Sequence, residues 1–334
     1  MINKEAKLNT KIFDEDIEQK PIRQGFGEGF LIAGQNDEQV VGLCADLVDS
    51  TKMNLFADAF PERYVEMGVA EQNLVTVASG MASMGKIPFV SSYAMFSPGR
   101  NWEQIRTTIT YNDQPVKIVG SHAGISVGPD GGTHQAIEDI ALMRILPRMV
   151  VISPCDSIEA KKATVALAQT KDPTYIRLAR EKTPVMTTEE TPFEIGKAYI
   201  VFDSSNESKD ADVGIIATGA LLHRALLVAK ELTDKGMSVK VMNVHTIKPL
   251  DTEAVEKLAR ETNALVTVEE HQIAGGMGSA ITEYLAENYP VPIEFVGVRD
   301  VYGQSGTPEE LIKHYGMDET HIKKAALKAI ERKK

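Results

Sequence analysis

The sequence predicts an α/β fold of two packed domains, and three observations carry that prediction. From Pro21 onward, short β-branched runs alternate with longer amphipathic stretches, and the alternation restarts after a Pro-, Thr- and Glu-rich break, KTPVMTTEETPFE, at Lys182–Glu194. The chain's 334 residues also exceed what one typical core needs. Nearly unbroken apolar strands followed by amphipathic helices suit a parallel sheet covered on both faces, because each crossover helix must return the chain to the same end of the sheet.

Taken in order, residues 1–20, MINKEAKLNTKIFDEDIEQK, alternate in charge, lack an apolar h-region and read as an N-terminal extension. A first domain over 21–183 has QVVGLC, IPFV, VKIVG, MVVIS and TYIRL as strands, with helices beginning near Ile22, Ala70, Arg100, Gln135 and Asp156. Within it, YVEMGVAEQN at Tyr64–Asn73 reads as a strand that delivers Glu71 into the first turn of an apolar helix. Residues 184–193 form the linker. A second domain over 194–334 has strands AYIVF, VGIIATG, SVKVMNV, ALVTVEE and IEFVGV, with helices near Leu221, Asp251, Gly276 and Asp318. Its polar run Asp203–Asp212 reads as a surface loop, and HTIKPLD, EEHQIAGGMGS and YGQSGTPEEL fall at strand-to-helix crossings.

The composition narrows the function. With 36 basic and 47 acidic residues the net charge is −11, which argues against binding nucleic acid or an anionic membrane, since those partners need a clustered positive surface. A bound phosphate must therefore meet locally concentrated arginines. Cys44 and Cys155 sit beside apolar runs without metal-ligand spacing and are expected to be buried free thiols in a reducing compartment. No window approaches the roughly 18 consecutive apolar residues of a membrane span, so a cytoplasmic location is expected.

Three segments hold residue types suited to chemistry. Glu71 is an acid in a helix's first turn, a position ordinarily explained by the helix dipole at a few tenths to about 1 kcal/mol. Tyr93 and Phe96 follow the strand IPFV, where aromatics are usually core. The glycine-rich SHAGISVGPDGGTHQ at Ser121–Gln135 carries His122, Asp130 and His134, and histidines suit proton movements near neutral pH. A lone arginine such as Arg23 or Arg180 is ordinarily a solvated surface charge, although guanidinium forks do bind phosphate in bidentate geometry. GGMGS at Gly275–Ser279 lacks the spacing of a phosphate-cradling turn and reads as a close-packing one.

Together RYVEMGVAEQN, SSYAMFSPGR and SHAGISVGPDGGTHQ resemble the pyrimidine-binding domain of the transketolase family, and the resemblance extends over about 20–330. It implies thiamine diphosphate as cofactor and transfer of a two-carbon ketol unit between sugar phosphates. Glu71 would promote the imino tautomer of the cofactor's aminopyrimidine, Tyr93 and Phe96 would stack on that ring, and Asp46 would lie near the cofactor. His134 would serve the reaction centre, Asp130 a sugar hydroxyl, and His122, Arg23, Ser50 and Arg180 the substrate phosphate. No match to the family's third pocket aromatic is found, which leaves Trp102 unplaced. The family's C-terminal domain supports dimer contacts and stands apart from the chemistry.

The family's Gly-Asp-Gly cation motif does not occur in this chain, so no metal ligand is assigned to it. The resemblance thus implies a C-terminal subunit that works with a separate N-terminal subunit, the latter carrying the pyrophosphate domain and holding Mg²⁺ or Ca²⁺, in a self-associating assembly such as a heterotetramer. Resemblance to 1-deoxyxylulose-5-phosphate synthase, to the β-subunit of 2-oxoacid dehydrogenases, or to a catalytically silent module with the same fold gives the alternatives.

Overall fold

A computed structural model describes residues 1–205 and 211–333, so the middle of the polar run Asp203–Asp212 lies outside the described residues. The strands, in chain order, are β1 (Gln19–Pro21), β2 (Val40–Cys44), β3 (Tyr64–Glu66), β4 (Ile87–Tyr93), β5 (Lys117–Ser121), β6 (Val150–Ile152), β7 (Thr174–Arg177) and β8 (Lys182–Pro184). They continue with β9 (Tyr199–Asp203), β10 (Val213–Ala217), β11 (Val239–Asn243), β12 (Thr246–Lys248), β13 (Leu265–Gln272) and β14 (Ile293–Val298). A first sheet has the order β12-β6-β7-β5-β4-β2-β3 and a second the order β14-β13-β10-β11-β9, parallel except where β12 meets β6 and β9 meets β11. Every strand expected from the apolar runs forms. No helix among the described residues is long and apolar enough to cross a membrane.

Helices cover both faces of the first sheet. On one face Ile22–Asn36 packs against Ser157–Ala168 around Phe26, Phe30, Phe89 and Ile176. The two helices approach closely because Gly25 faces the Ser157 backbone, where a Cβ would lie 1.7 Å from the carbonyl oxygen. On the other face Leu74, Val75 and Ala78 of the helix Glu71–Ser83 join a cluster that continues through Ile216, Met242 and Leu258 of the second domain. Cys44 and Cys155 are both buried and unpaired.

Three features depart from the simple two-domain sketch. HTIKPLD does join β11 to the helix Thr252–Thr262, but on the way β12 pairs antiparallel with β6 and covers the edge of the first sheet. The N-terminal residues run across both halves, because Ile12 and Ile17 are buried, Asn3 donates to Val201 O, Asn9 donates to Met186 O, and β1 pairs with β8. The helix expected near Gln135 begins at Asp139, since residues 135–137 are used to close a loop: Gly124 N–H donates to Ala136 O at 2.8 Å and Gln272 N–H to Ile137 O at 2.8 Å.

Candidate active site

The carboxyl ends of adjacent parallel strands converge on one rim of the first sheet, the usual position for a site in such a fold. Asp46 follows β2, Glu71 follows β3, Tyr93 ends β4, His122 follows β5 and Arg180 follows β7. Arg23, in the first turn of the helix Ile22–Asn36, reaches the same rim.

Glu71 is the first residue of its helix, and the preceding Ala70 offers no side-chain cap, so the carboxylate is the anion at the dipole's positive end. It is only 3% exposed. Ser92 Oγ donates to its Oε1 at 3.2 Å, Arg100 Nη1 to its Oε2 at 3.0 Å, and Asn101 Nδ2 to its backbone carbonyl at 3.0 Å. The Arg100 guanidinium also lies over the Phe96 ring, 4.3 Å from its centroid.

From there an unbroken line of ring contacts leads to the arginines. Phe96 and Tyr93 stack with centroids 6.3 Å apart, and Tyr93 stacks on His122 at 3.9 Å. His134 meets both aromatics edge-on, at 5.3 Å from Phe96 and 6.3 Å from Tyr93. His122 Nε2 is 3.5 Å from Arg23 Nη1, which donates to the Ser50 carbonyl at 2.5 Å. Arg180 Nη1 donates to Val127 O at 2.8 Å and to Glu181 Oε1 at 3.0 Å.

Burial, the positive Arg23 and Arg180, and His134 together lower the His122 pKa to about 3, so the ring is neutral near pH 7. A neutral tautomer with the proton on Nδ1 fits both neighbours: it donates to Ser121 Oγ at 2.9 Å and leaves Nε2 to face Arg23. Burial and Arg180 also lower the pKa of Arg23, whose Nε is buried with no partner among the described residues. Two cations held this close, one with an orphaned donor, form an environment that an anion would relieve.

The structure thus brings together Glu71, Tyr93, Phe96, His122, His134 and Arg23, with the backbone of Ser50, and sets Arg180 close enough to act electrostatically on both Arg23 and His122. It does not bring in the carboxylates of Asp46 and Asp130, which are exposed and engage none of the other site residues, although the Asp46 N–H donates to Glu66 Oε1 at 2.8 Å. Trp102 is not a third wall of the aromatic slot; its indole donates to Leu142 O at 2.7 Å and its ring packs in the core. The start of the GGMGS helix is filled by the chain's own Glu269, which accepts from the N–H groups of Met277 and Gly278 at 2.7 and 2.8 Å.

Comparison with known proteins bears on this geometry. A family model for the transketolase pyrimidine-binding domain matches residues 18–186, and one for the transketolase C-terminal domain matches residues 204–322. A transketolase C-terminal section from Methanocaldococcus jannaschii is 42% identical over 94% of this chain and 97% of its own length. The chain belongs to the transketolase family. A 6-deoxy-6-sulfo-D-fructose transketolase subunit from Clostridium sp. strain MSTE9 is 39% identical over 96% of this chain and 98% of its own. A solved split-gene transketolase, described as an inactive beta4 tetramer, superposes with a TM-score of 0.86 at 41% identity, covering 94% of this chain and 99% of that one. Family membership implies thiamine diphosphate as the cofactor.

Ser92, Arg100 and Asn101 are contacts of Glu71 that the sequence reading passed over. For Arg100 the nearest signal is its place four residues beyond Phe96 in the turn SPGR, where its N–H donates to Phe96 O at 2.9 Å and its guanidinium folds back over the ring.

Proposed function

We propose that this chain is the C-terminal subunit of a split transketolase, which transfers a two-carbon ketol unit from a ketose phosphate to an aldose phosphate only in complex with an N-terminal subunit. The observation that carries the proposal is the single line of contacts from the buried Glu71, through Phe96, Tyr93 and His122, to the arginine pair. In this reading a cofactor ring lies at the aromatic end of that line, beside Glu71, and a phosphate at its cationic end, beside Arg23 and Arg180. The relatives named as a C-terminal section, a transketolase subunit and a split-gene transketolase support the two-chain arrangement.

The residues present fit the cofactor's aminopyrimidine: a nearly buried carboxylate stands beside a flat aromatic wall, and its counter-ion Arg100 has a half-exposed side chain that can leave the ring without disturbing packed core. Thiamine diphosphate, when bound, supplies the electron sink for carbon–carbon bond cleavage. Glu71 would share a proton with the pyrimidine ring nitrogen, Tyr93 and Phe96 would hold the ring, and Asp46, following β2 on the same rim, would stand near the cofactor. His134 moves protons at the sugar hydroxyls, Asp130 binds a hydroxyl, and His122 with Arg23, Ser50 and Arg180 receives the phosphate. The divalent cation is held mainly by the partner subunit.

The test is coexpression with an N-terminal transketolase subunit and Mg²⁺, followed by a ketol-transfer assay with xylulose 5-phosphate. Activity is expected in the complex and not in the isolated chain. Turnover by the isolated chain would overturn the split arrangement, and turnover of pyruvate instead of the ketose phosphate would overturn the reaction.

A further inference from the structure

The second domain reaches into the loop that carries the two histidines. That loop, Ser121–Gln135, is closed at its base by a bridge between Ala123 and Ala136. Beside this closure lies Glu270 of β13, buried, with its Oε1 accepting from the Ser126 backbone N–H at 2.6 Å. Gly124 has φ +90°, and a Cβ built there would fall 2.3 Å from the same carboxylate oxygen. Glycine is therefore required twice, for the backbone conformation and for the approach of the carboxylate. Arg177 donates to the carbonyls of both Ala136 and Glu270, at 3.3 and 2.8 Å, and so fastens the loop's exit to the same strand.

The outer side of the loop is held by the segment Gly303–Pro308. Gln135 Nε2 donates to Ile125 O within the loop and to Gln304 O of that segment, both at 3.0 Å. Gly303 packs so closely that a Cβ would lie 1.7 Å from Gln135 Oε1, while Gly131 and Gly128 face Ser305 and Pro308. A loop this rich in glycine has a large conformational entropy to lose, and contacts from outside must hold it.

We propose that Glu270 and the Gly303–Pro308 segment are positioning elements of the substrate loop, through which the second domain sets where His122 and His134 stand without itself touching substrate. The catalytic consequence rests on the reading of this loop as the sugar-phosphate loop of a transketolase; the positioning does not.

Histidine ring signals, followed by NMR in the full isolated chain, read the positioning with no substrate present. Three variants are compared: Glu270→Ala, Glu270→Gln, which keeps an acceptor for the Ser126 N–H, and Gly303→Ala, on a half-buried surface loop where the added methyl displaces the Gln135 amide. The His122 and His134 signals are expected to move in Glu270→Ala and Gly303→Ala and to return close to wild type in Glu270→Gln. In the reconstituted complex, kcat/KM for the ketose phosphate is expected to fall about 10–100-fold, mainly through KM, while exchange of the cofactor's C2 proton stays at the wild-type rate. Unmoved histidine signals in folded Gly303→Ala would overturn the proposal, and that variant decides if Glu270→Ala does not fold. A loss shared equally by C2 exchange would also overturn it, as general destabilisation. Moved signals in a chain whose wild-type complex transfers no ketol unit would uphold the positioning and remove only the assigned reaction.

Discussion

The two ends of the candidate site are assembled from different reaches of the chain. Glu71 is held by Ser92, Arg100 and Asn101, which lie 21, 29 and 30 positions away. The loop bearing His122 and His134 is held by contacts spanning 144 positions to Glu270 and 169 positions to Gln304. The end proposed for the cofactor is thus a compact strand–turn–helix unit of the first domain, whereas the end proposed for the substrate is held by contacts from both domains. A change in the second domain should reach the sugar and leave the cofactor alone.

The largest effect is expected at the compact end. Glu71→Gln keeps the shape and the contacts to Ser92 and Asn101 but cannot share a proton with the pyrimidine, and loss of a positioned acid–base group lowers rates by about 10²–10⁴. Exchange of the cofactor's C2 proton in the reconstituted complex should slow by that factor, and turnover should fall alike for phosphorylated and non-phosphorylated donors. Exchange at the wild-type rate would remove Glu71 from its role. If the two ends are separate, the histidine ring signals of the isolated variant should match wild type.

A smaller and more selective effect is expected at the other end. Removing a charge-assisted hydrogen bond to phosphate by Arg180→Ala should cost about 1.5–3 kcal/mol, or roughly 10–150-fold in kcat/KM for a ketose phosphate. Hydroxypyruvate, a donor without phosphate, should lose far less. Whatever it does lose measures the second contact of Arg180, to the Val127 carbonyl of the substrate loop. Equal losses for both donors would mean that Arg180 acts through the loop alone, and the phosphate pocket would have to be placed elsewhere.

The contrast between the ends also explains what could be read in the sequence. The strands were legible because each is a short apolar run between helical stretches, and Glu71 because YVEMGVAEQN sets an acid in the first turn of an apolar helix and carries the family resemblance. β12 was passed over because Thr246–Lys248 is too short to carry a strand pattern or to say which sheet edge it covers. Glu270 was passed over for a physical reason: in ALVTVEE it reads as the end of a buried strand, and only the fold sets its carboxylate under Gly124. Nothing in PDGG marks its glycines as contact points, but Gly131 and Gly132 are small to admit Ser305 and Gly303 from the other domain. The second domain supplies no residue of the candidate site, as expected, but its Glu270 and Gln304 contact the loop that carries the two histidines.

The smallest expected effect is the absence of a titration, and it tests how completely the two domains enclose the substrate end. His122 has a folded pKa of about 3, set first by burial and then by Arg23, Arg180 and His134, against about 6.5 for an unfolded histidine. The folded value is the lower one, so between those limits the unfolded chain binds a proton that the native ring refuses. The stability His122 contributes is therefore whole above about pH 6.5 and is lost as the pH falls toward 3, by about 2 kcal/mol at pH 5. His245 and His271, each near 4 through burial, act in the same direction. Glu159 and Glu269, raised to about 7 mainly by burial, act in the opposite one, losing their contribution as the pH rises from about 4.5 through 7, so the overall stability profile is a composite. A single-site reading is cleaner: the His122 ring signals should stay flat from pH 8 to pH 5, and His122→Gln should lose less stability than wild type over the same interval. Gly303→Ala, by loosening the loop and admitting water to the ring, should bring an inflection back into that range. An inflection between pH 5 and 8 in the wild-type chain would mean that water already reaches the ring, and that the substrate end is less enclosed than its contacts with Tyr93 and Arg23 indicate.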